Sequence, residues 1–370
     1  TWGTNLSYNG GLGNWTRDVL YPTKISNMSG LPGYRWSSVT VSAFGTFAQG
    51  ADGSLWLWGV GQSYFPVGYN GFYTVSLPTI ITARRDVRFK KVELTGNNIA
   101  ALSNDNELFI AGSTGLNTLS LYPSDSLSAT WMYTGIGFSA KRDWDSILTR
   151  HGGSNNITAL KTDGTLWGWG YNLYGSVGDG TTMNKSSPIQ IGTSYTALGI
   201  LNLPDGLGNQ TKRGLAIRDG SIYGWGTGIG TATPFDTSAV MSPTQIGTSS
   251  WTAVGTGWRN THAIRADGTL WSWGDNQVGQ VGNGDIGQGF KQISPVVQTP
   301  TQIFGYYDGP ASSWVAVDGG VYFGIAIRND GSLWGFGYNN AGNLGDITAV
   351  HKSSPVLIAS GSWSLSLIHI

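Results

Sequence analysis

Histidine is the side chain best suited to proton transfer or zinc binding near neutral pH, and the sequence has four histidines, at 151, 262, 351 and 369. No pair shows the i, i+4 spacing of a helical zinc motif. His151 and His351 lie in predicted loops without a nucleophile elbow beside them. Cysteine is absent, which excludes thiolate catalysis and thiolate-bound metals. The sequence therefore predicts no enzyme, no metal site and no cofactor.

Two aspartate-bearing segments, 178–180 and 283–285, could suggest calcium binding. They lack the alternating oxygen ligands and the terminal glutamate that a calcium loop needs. Both are therefore predicted to be tight turns.

Aromatic and arginine side chains in predicted loops are better candidates for a site, because such residues anchor protein or sugar ligands. The connection from Asp275 to Ser313 exceeds the usual length by about 15 residues and carries several of them. Packing of these rings onto their own part of the fold is an equally good interpretation. The candidate binding residues are Trp131, Trp258, Arg259, Phe290, Phe304, Tyr306 and Tyr307.

The elements that must position these residues come from a repeat. Asp163–Gly170 reads Asp-Gly-Thr-Leu-Trp-Gly-Trp-Gly, and variants of it recur along the chain. Their closing glycines stand at 59, 112, 170, 226, 274 and 337. A period near fifty residues indicates a ring or an array of small structural units.

Each unit predicts four antiparallel strands. An aromatic residue opens the first strand, Asp-Gly joins the second strand to the third in a hairpin, and a Ser-Pro or Thr-Pro segment begins the fourth. Residues 363–370 resemble the opening of a further unit and Thr1–Gly3 the end of one. The prediction is an all-β, seven-bladed β-propeller of four-stranded antiparallel blades. Both termini would close its last blade, and residues 1–370 would form a single domain.

The repeat resembles that of the regulator of chromosome condensation family. Residues 251–282 carry most of its pattern, including Asn276-Gln277-Val278-Gly279-Gln280-Val281-Gly282, and residues 163–191 carry the rest. The tryptophan-rich form of the repeat more closely resembles that of the family's bacterial and bacteriophage branch. The resemblance implies a propeller. The family's best-known role, nucleotide exchange on a small GTPase, depends on a charged face and a projecting wedge, and neither is recognised in this sequence.

One five-residue stretch, Gly257-Trp258-Arg259-Asn260-Thr261, is similar to a signature of light-sensing members of the family. In those members it recurs in successive blades, whereas here it occurs once, with Asn260 in place of histidine. A single copy cannot build a cluster of coupled tryptophans, so photoreception is not expected.

The amino-acid composition limits the classes of partner that we expect the protein to bind. The formal net charge is zero and 11% of residues are charged, which argues against binding to nucleic acid. No apolar run approaches the length of a membrane span. These features favour a non-enzymatic propeller that binds a protein or a glycan. The expected location is extracellular, on a bacterial surface or a bacteriophage virion. The alternative is an intracellular regulator of the guanine-nucleotide exchange factor type.

Overall fold

A computed structural model describes eighteen stretches of the chain. These are residues 3–4, 18–20, 36–41, 45–52, 54–61, 73–81, 89–95, 98–112, 132–133, 142–149, 156–201, 213–227, 239–246, 250–257, 260–285, 296–304, 313–361 and 363. The secondary structure within them is entirely strands and turns, without a helix. No helix in this part of the chain is therefore long and apolar enough to cross a membrane.

Six four-stranded antiparallel sheets, the blades, account for most of these residues, and each uses its four strands in chain order. Blade 1 has β3 (Trp36–Val41), β4 (Gly45–Gly50), β5 (Leu55–Gly61) and β6 (Tyr73–Ile81); blade 2 has β7 (Phe89–Thr95), β8 (Asn98–Ser103), β9 (Leu108–Gly112) and β10 (Met132–Tyr133). Blade 3 has β11 (Trp144–Thr149), β12 (Asn156–Lys161), β13 (Leu166–Gly170) and β14 (Lys185–Gly192); blade 4 has β15 (Tyr195–Leu201), β16 (Arg213–Arg218), β17 (Ser221–Thr227) and β18 (Ala239–Gln245). Blade 5 has β19 (Trp251–Thr256), β20 (Asn260–Arg265), β21 (Leu270–Asp275) and β22 (Val296–Ile303); blade 6 has β23 (Trp314–Gly319), β24 (Phe323–Arg328), β25 (Leu333–Gly337) and β26 (Lys352–Ala359).

The predicted Asp-Gly hairpins are confirmed, and in blades 1, 3, 5 and 6 a short hydrogen-bond relay fixes the turn. In blade 3, Asp163 Oδ1 accepts hydrogen bonds from the backbone N–H and the hydroxyl of Thr165, at 2.9 and 2.6 Å. The indole N–H of Trp167 donates to the same hydroxyl at 2.9 Å. Gly164 has φ +78°, which glycine adopts at little cost. The turn thus orients the first tryptophan of the third strand.

Tryptophan rings pack within and between blades, as expected from their repeat positions. Trp144 lies 6.2 Å from Trp167 and 6.3 Å from Trp169 in blade 3, measured between ring centroids. Trp225 of blade 4 is fully buried, and its indole N–H donates to the carbonyl of Ser176 in blade 3 at 3.1 Å. Large rings therefore fill the wedge between neighbouring sheets and also satisfy buried backbone groups.

The hydrophobic core lies largely between blades. One cluster combines Ile264 and Leu270 of blade 5 with Trp314 and Val317 of blade 6. The inner strands β19 and β23 approach so closely that a Cβ on Gly255 would lie 2.6 Å from the carbonyl oxygen of Val317. Neighbouring blades are thus held by side chains at their flanks and by backbone contact at the centre.

The number of blades differs from the prediction. The described residues form six complete blades and one two-stranded sheet, in which β1 (Gly3–Thr4) pairs with β2 (Asp18–Val19), so a count of seven four-stranded blades is wrong for them. The spacing of the repeat in the sequence counts the units. It does not show whether segments far apart in the chain pair into one further sheet. Trp363 lies just after blade 6, and residues 364–370 are outside the described stretches.

The two-stranded sheet lies beside blade 6, and its contacts with blade 6 match those between successive blades. Gly3 pairs with Val19 in the same way that Gly337, the closing glycine of blade 6, pairs with Lys352. The N–H of Ile347 donates to the carbonyl of Leu20 at 2.9 Å. The corresponding bond between blades 5 and 6 runs from Gly284 to Ser353 at 2.8 Å, and that between blades 3 and 4 from Gly180 to Met241 at 2.8 Å. The pair therefore occupies the place of the outer strands of the blade after blade 6.

Ile347 is strained, and we expect its replacement by glycine to stabilise the protein. Its φ is +68°, a region that β-branched residues rarely adopt, and its side chain is 73% exposed. The two equivalent positions, 180 and 284, are both glycine with positive φ. Ile347→Gly should raise the free energy of unfolding by about 1 kcal/mol, measured by denaturant titration. The mirror variant Gly284→Ile should lower it by a similar amount. A lower stability for Ile347→Gly would contradict the strain.

Candidate functional site

The strands define two ends of the ring. At the turn end lie the Asp-Gly hairpins and the residues that open each first strand, such as Trp251. At the loop end, the first strand connects to the second and the third connects to the fourth. In blade 5, Asn260 pairs with Gly274 at the loop end, whereas Ile303 pairs with Leu270 at the turn end. Side chains at opposite ends cannot share one binding surface.

Of the predicted binding residues, Phe304 lies within the described stretches. It directly follows Ile303 at the turn end, and its side chain is 62% exposed. The connection holding Trp258 and Arg259 starts and finishes at the loop end, between Gly257 and Asn260. Phe304 and the residues that flank this pair, Gly257 and Asn260, therefore lie at opposite ends of blade 5. The residues outside the described stretches are Trp131, Trp258, Arg259, Phe290, Tyr306 and Tyr307.

The insertion predicted between Asp275 and Ser313 is divided between the two ends. Part of it is the fourth strand, β22, which begins at Val296 and not at Pro300 as predicted. At the loop end, the chain advances 23 positions from Gly274 to its partner Val297. The same step takes 15 positions in blade 3, from Gly170 to Lys185.

A second extension lies at the turn end of blade 5. The next blade opens at Trp314, 11 positions after Ile303. In blade 3 the same step takes three positions, from Gly192 to Tyr195. The extra length predicted for this connection thus consists of two extensions, one at each end of the blade, and its role in binding stays a prediction.

Arg213 organises the loop end of blade 5 from the neighbouring blade. It is the first residue of β16 and is 8% exposed. Its Nη2 donates to the carbonyl of Gly257 at 3.3 Å and to that of Asn260 at 3.0 Å. The N–H of Gly257 donates to the same Asn260 carbonyl at 3.0 Å, which closes the base of the connection. The carbonyls that flank residues 258 and 259 are therefore fixed by one buried cation.

The base of this connection also requires glycine at position 257, because a Cβ there would overlap Asn260 Oδ1. The Asn260 side chain is buried, and its Nδ2 donates to the carbonyl of Gln280 at 3.0 Å. The Gln280 side chain in turn accepts the N–H of Val278 at 2.8 Å. A strand residue of blade 4 and one loop of blade 5 thus hold the backbone at Gly257 and Asn260, which suits the base of a preorganised contact surface.

His262 lies below this base and is fully buried. Burial, and secondly the charge of Arg213, lower the pKa of His262 to about 3, so the imidazole is neutral. Its Nε2 is 3.2 Å from Nδ2 of Asn260, which can only donate, so Nε2 accepts. The proton therefore sits on Nδ1, which donates to the Ser272 hydroxyl at 2.9 Å.

The Ser272–His262 pair resembles a nucleophile with its base, but its protonation excludes that chemistry. A general base must offer an unprotonated nitrogen to the hydroxyl, whereas Nδ1 already carries the proton. Both side chains are fully buried, so no substrate reaches the hydroxyl. Within the described stretches, no three His, Cys, Asp or Glu side chains are grouped to hold a metal ion. The arrangement can position a loop, and it offers no acid–base machinery.

Sequence reasoning missed Arg213, His262 and Ser272, although the repeat contains a signal for them. His262 stands where blade 4 has Leu215, and Ser272 stands where blade 4 has Gly224. Polar residues at positions that the repeat otherwise fills with apolar or small residues mark a local departure. Aligning the units would have identified this departure.

Comparison with known proteins adds to this geometry. The regulator of chromosome condensation (RCC1) repeat model matches residues 267–327, and a second model of the same repeat matches residues 251–280. Residues 251–327 of the chain therefore carry regulator of chromosome condensation repeats. The chain is 26% identical over 211 residues to the ultraviolet-B receptor UVR8 of Arabidopsis thaliana, covering 56% of this chain and 44% of that protein. This confirms the resemblance drawn from the repeat, whereas assignment to the bacterial or bacteriophage branch stays a prediction.

Two other relatives bear on fold and location. RUG3 of Arabidopsis thaliana, an RCC1 domain-containing mitochondrial protein, is 24% identical over 238 residues, which are 59% of this chain and 50% of that protein. Prp20p of Saccharomyces cerevisiae superposes with a TM-score of 0.72 at 17% identity, covering 97% of this chain and 85% of that chain, a likeness of fold. The chain spans about half the length of these curated relatives.

The relatives contradict an extracellular or virion location. RUG3 is mitochondrial by name, so this relative acts inside the cell. The low fraction of charged residues, which favoured an extracellular location, has another explanation. Uncharged polar side chains such as Thr165 and Asn172 are used in internal hydrogen bonds of the repeat. The composition of the chain therefore reflects the repeat and does not indicate a cellular compartment.

Proposed function

We propose that this chain is a non-enzymatic propeller that binds a protein partner inside the cell, with the loop end of blade 5 as its contact surface. The observation that carries the proposal is the clamp of Arg213 on the carbonyls of Gly257 and Asn260. Trp258 and Arg259, which follow Gly257 in the sequence, are of two residue types that dominate protein interfaces. Prp20p, which shares the fold, binds the proteins Gsp1p and histones.

Within this class, the proposed role is that of a regulator of the guanine-nucleotide exchange factor type. The relatives support it better than a surface adhesin, because they are intracellular. A small GTPase loaded with fluorescent GDP is therefore the probe. Nucleotide release is measured for a panel of purified small GTPases, and direct binding of each to the immobilised propeller is measured in parallel.

We expect the double variant Trp258→Ala/Arg259→Ala to weaken binding and release roughly tenfold or more, with an unchanged melting temperature. Phe304→Ala is the matched control, since it removes an exposed ring from the turn end of the same blade. Binding that survives the double variant but is lost in Phe304→Ala would place the contact at the turn end. If no GTPase binds or releases nucleotide, the exchange-factor role is wrong.

A glycan is the other ligand class expected from the loop aromatics. Phe304 supports it as an exposed ring on which a sugar could stack. Binding of the wild-type propeller to a glycan array, lost in Phe304→Ala, would favour this partner over a protein. A blank array would contradict it.

We also propose that residues 1–370 form one ring in which both termini share a seventh position. The sheet of β1 and β2 would supply its outer strands, and Trp363 would stand where its first strand opens. In support, the Trp363 N–H donates to the carbonyl of Gly331 at 3.1 Å, as Trp314 does to Gly268 at 2.8 Å where blade 6 opens. Removing residues 1–20 should then lower the melting temperature by several degrees. An unchanged melting temperature would contradict shared closure.

A further inference from the structure

One turn at the loop end of blade 5 contains an asparagine followed by a glycine. The sequence has Asn-Gly at positions 9–10, 70–71 and 283–284, and the third pair lies within the described stretches, between β21 and β22. Asparagine is a chemically labile residue, and a glycine after it leaves the next backbone nitrogen without a shielding side chain. The pair at 283–284 is therefore a candidate for covalent change.

Hydrogen bonds fold the Asn283 side chain back over the chain that follows it. Asn283 Oδ1 accepts the N–H of Asp285 at 3.2 Å and an N–H of Asn276 Nδ2 at 3.1 Å. Donors that point at a carbonyl oxygen stabilise the negative charge that develops there when a nucleophile attacks the carbon. Gly284 and Asp285 are exposed, so water and hydroxide reach this turn. The Asn283 amide is thus prepared for attack at Cγ.

The attacking group is held by the next blade. The N–H of Gly284 donates to the carbonyl of Ser353, on β26 of blade 6, at 2.8 Å. The Gly284 nitrogen has to leave this bond before it can turn to Cγ of Asn283. The contact between this turn and β26 therefore restrains the reaction.

We propose that Asn283 is a deamidation site whose rate is set by opening of the contact between Gly284 and Ser353. The Gly284 nitrogen gives its proton to hydroxide and bonds to Cγ of Asn283, and the Cγ–Nδ2 bond breaks. Nδ2 takes a proton from water and leaves as ammonia, and a succinimide ring remains. Water then opens the ring at one of its two carbonyls, which gives aspartate or isoaspartate. This site does not depend on a partner at the loop end of blade 5.

Two other blades have a carboxylate at this place. Position 283 corresponds to Asp179 in blade 3 and Asp346 in blade 6, because each accepts a hydrogen bond from a buried asparagine seven positions earlier. Lys185 Nζ lies 2.8 Å from the Asp179 carboxylate, and Lys352 Nζ lies 3.1 Å from that of Asp346. In both blades a lysine thus neutralises the carboxylate.

Blade 5 has no lysine at the corresponding place. Lys185 pairs with the closing glycine of blade 3, whereas Val297 pairs with that of blade 5. Asn283 Nδ2 instead donates to Asp285 Oδ2 at 3.3 Å. Deamidation removes this donor and sets two carboxylates side by side, and isoaspartate also lengthens the backbone beside blade 6. The change therefore loosens the contact that restrained it.

Incubation of the full chain in mildly alkaline buffer tests the site. Peptide mapping by mass spectrometry detects the mass gained when an amide becomes an acid. Conversion at Asn283 should be about tenfold faster or more than at Asn276 and Asn339, which are buried and precede larger residues. Conversion no faster than at these two asparagines would overturn the proposal.

Gly279→Ala tests the restraint by blade 6. A Cβ on Gly279 would lie 3.0 Å from the Lys352 carbonyl oxygen and 3.0 Å from the Ser353 Cα, so alanine pushes this loop away from β26. We expect conversion at Asn283 to become about fivefold faster or more, because the contact opens more often. If this variant fails to fold, the wild-type chain in urea below its unfolding midpoint replaces it, with the same expectation.

Gly175→Ala is the matched control. Gly175 holds the equivalent place in blade 3, and its Cβ would lie 2.8 Å from the Met241 Cα of blade 4. The glycines at 175 and 279 both have positive φ, at +69° and +82°, so the two alanines suffer similar backbone strain. Gly175→Ala opens a different contact and should leave the rate at Asn283 within about twofold. Equal acceleration by both variants, or no acceleration by either Gly279→Ala or urea, would overturn the restraint.

Asn283→Asp tests the consequence of the change. It should lower the melting temperature by about 1–2 °C, because the new carboxylate lies beside Asp285 without a lysine. In the background of Val297→Lys, which copies the arrangement of Lys185, the same change should cost less. An equal loss in both backgrounds would overturn the account of the missing lysine.

Discussion

Valine in place of Gly255 is expected to destabilise the ring by about 3 kcal/mol or more. The inner strand β19 lies against β23 with no room for a side chain at this position. A Cβ would lie 2.6 Å from the Val317 carbonyl oxygen and 2.7 Å from the Asp318 Cα, so backbone atoms of the next blade would have to move. Backbone in a paired strand yields less readily than the tip of a flexible side chain. Denaturant unfolding followed by tryptophan fluorescence measures the loss.

Thr252→Val on the same strand is the control for this experiment. Thr252 is exposed, and its hydroxyl makes one hydrogen bond, to the Ile264 carbonyl at 3.2 Å. Its replacement adds no bulk against the next blade and should cost about 1 kcal/mol or less. If Gly255→Val cost no more than this control, the close approach of the two inner strands would be wrong.

Acidification is expected to destabilise the protein through His262. Its pKa is about 3 in the folded chain, where it is buried beside Arg213, and near 6.5 when unfolded. Above pH 6.5 both states hold a neutral imidazole, and the contribution to stability is complete. As the pH falls below 6.5, only the unfolded chain binds the proton, so stability declines by about 1.4 kcal/mol per pH unit. At pH 4 the loss should reach roughly 3 kcal/mol.

The double variant His262→Leu/Ser272→Gly isolates this effect, because it copies the Leu215–Gly224 pair of blade 4. Its stability should change by roughly 2.5 kcal/mol less than that of the wild type between pH 7 and pH 4.5. Hydrogen bonds from Thr165 and Thr269 lower the pKa values of Asp163 and Asp267, but both proteins contain these carboxylates, so their pH dependence cancels in the comparison. Identical pH profiles for the two proteins would show that His262 is not buried as a neutral ring.

The sequence predicted the elements that depend on neighbouring residues. The hairpin at Asp163 and Gly164 needs contacts within five residues, and the recurring tryptophans report one packing position in every unit. The fourth strand was predicted less well. β22 begins at Val296, four residues before Pro300, because pairing with Asp275 extends it and no local pattern signals that pairing. Pro300 then lies inside the strand, where an outer edge tolerates it.

The candidate sites depend on contacts between distant units, and the repeat conceals these. Arg213 reaches carbonyls that lie 44 and 47 positions later in the chain. The indole of Trp225 donates to the carbonyl of Ser176, which lies 49 positions earlier in the chain. The repeat pattern describes what all blades share, so it does not identify a residue that is specific to one blade. Sequence reasoning therefore found the scaffold and proposed exposed aromatics for a surface that depends on buried polar residues.

The hydrogen bond from Ile347 to Leu20 also has a consequence for the order of folding. The hairpins and the contacts between successive blades join nearby parts of the chain, so they can form progressively from one end to the other. The bond to Leu20 spans more than three hundred residues and has no partner to meet until blade 6 exists. During synthesis the pair of β1 and β2 would wait with an unpaired edge while the blades form one by one. A chaperone that covers this edge would then affect the yield of folded protein more than one acting on any later segment.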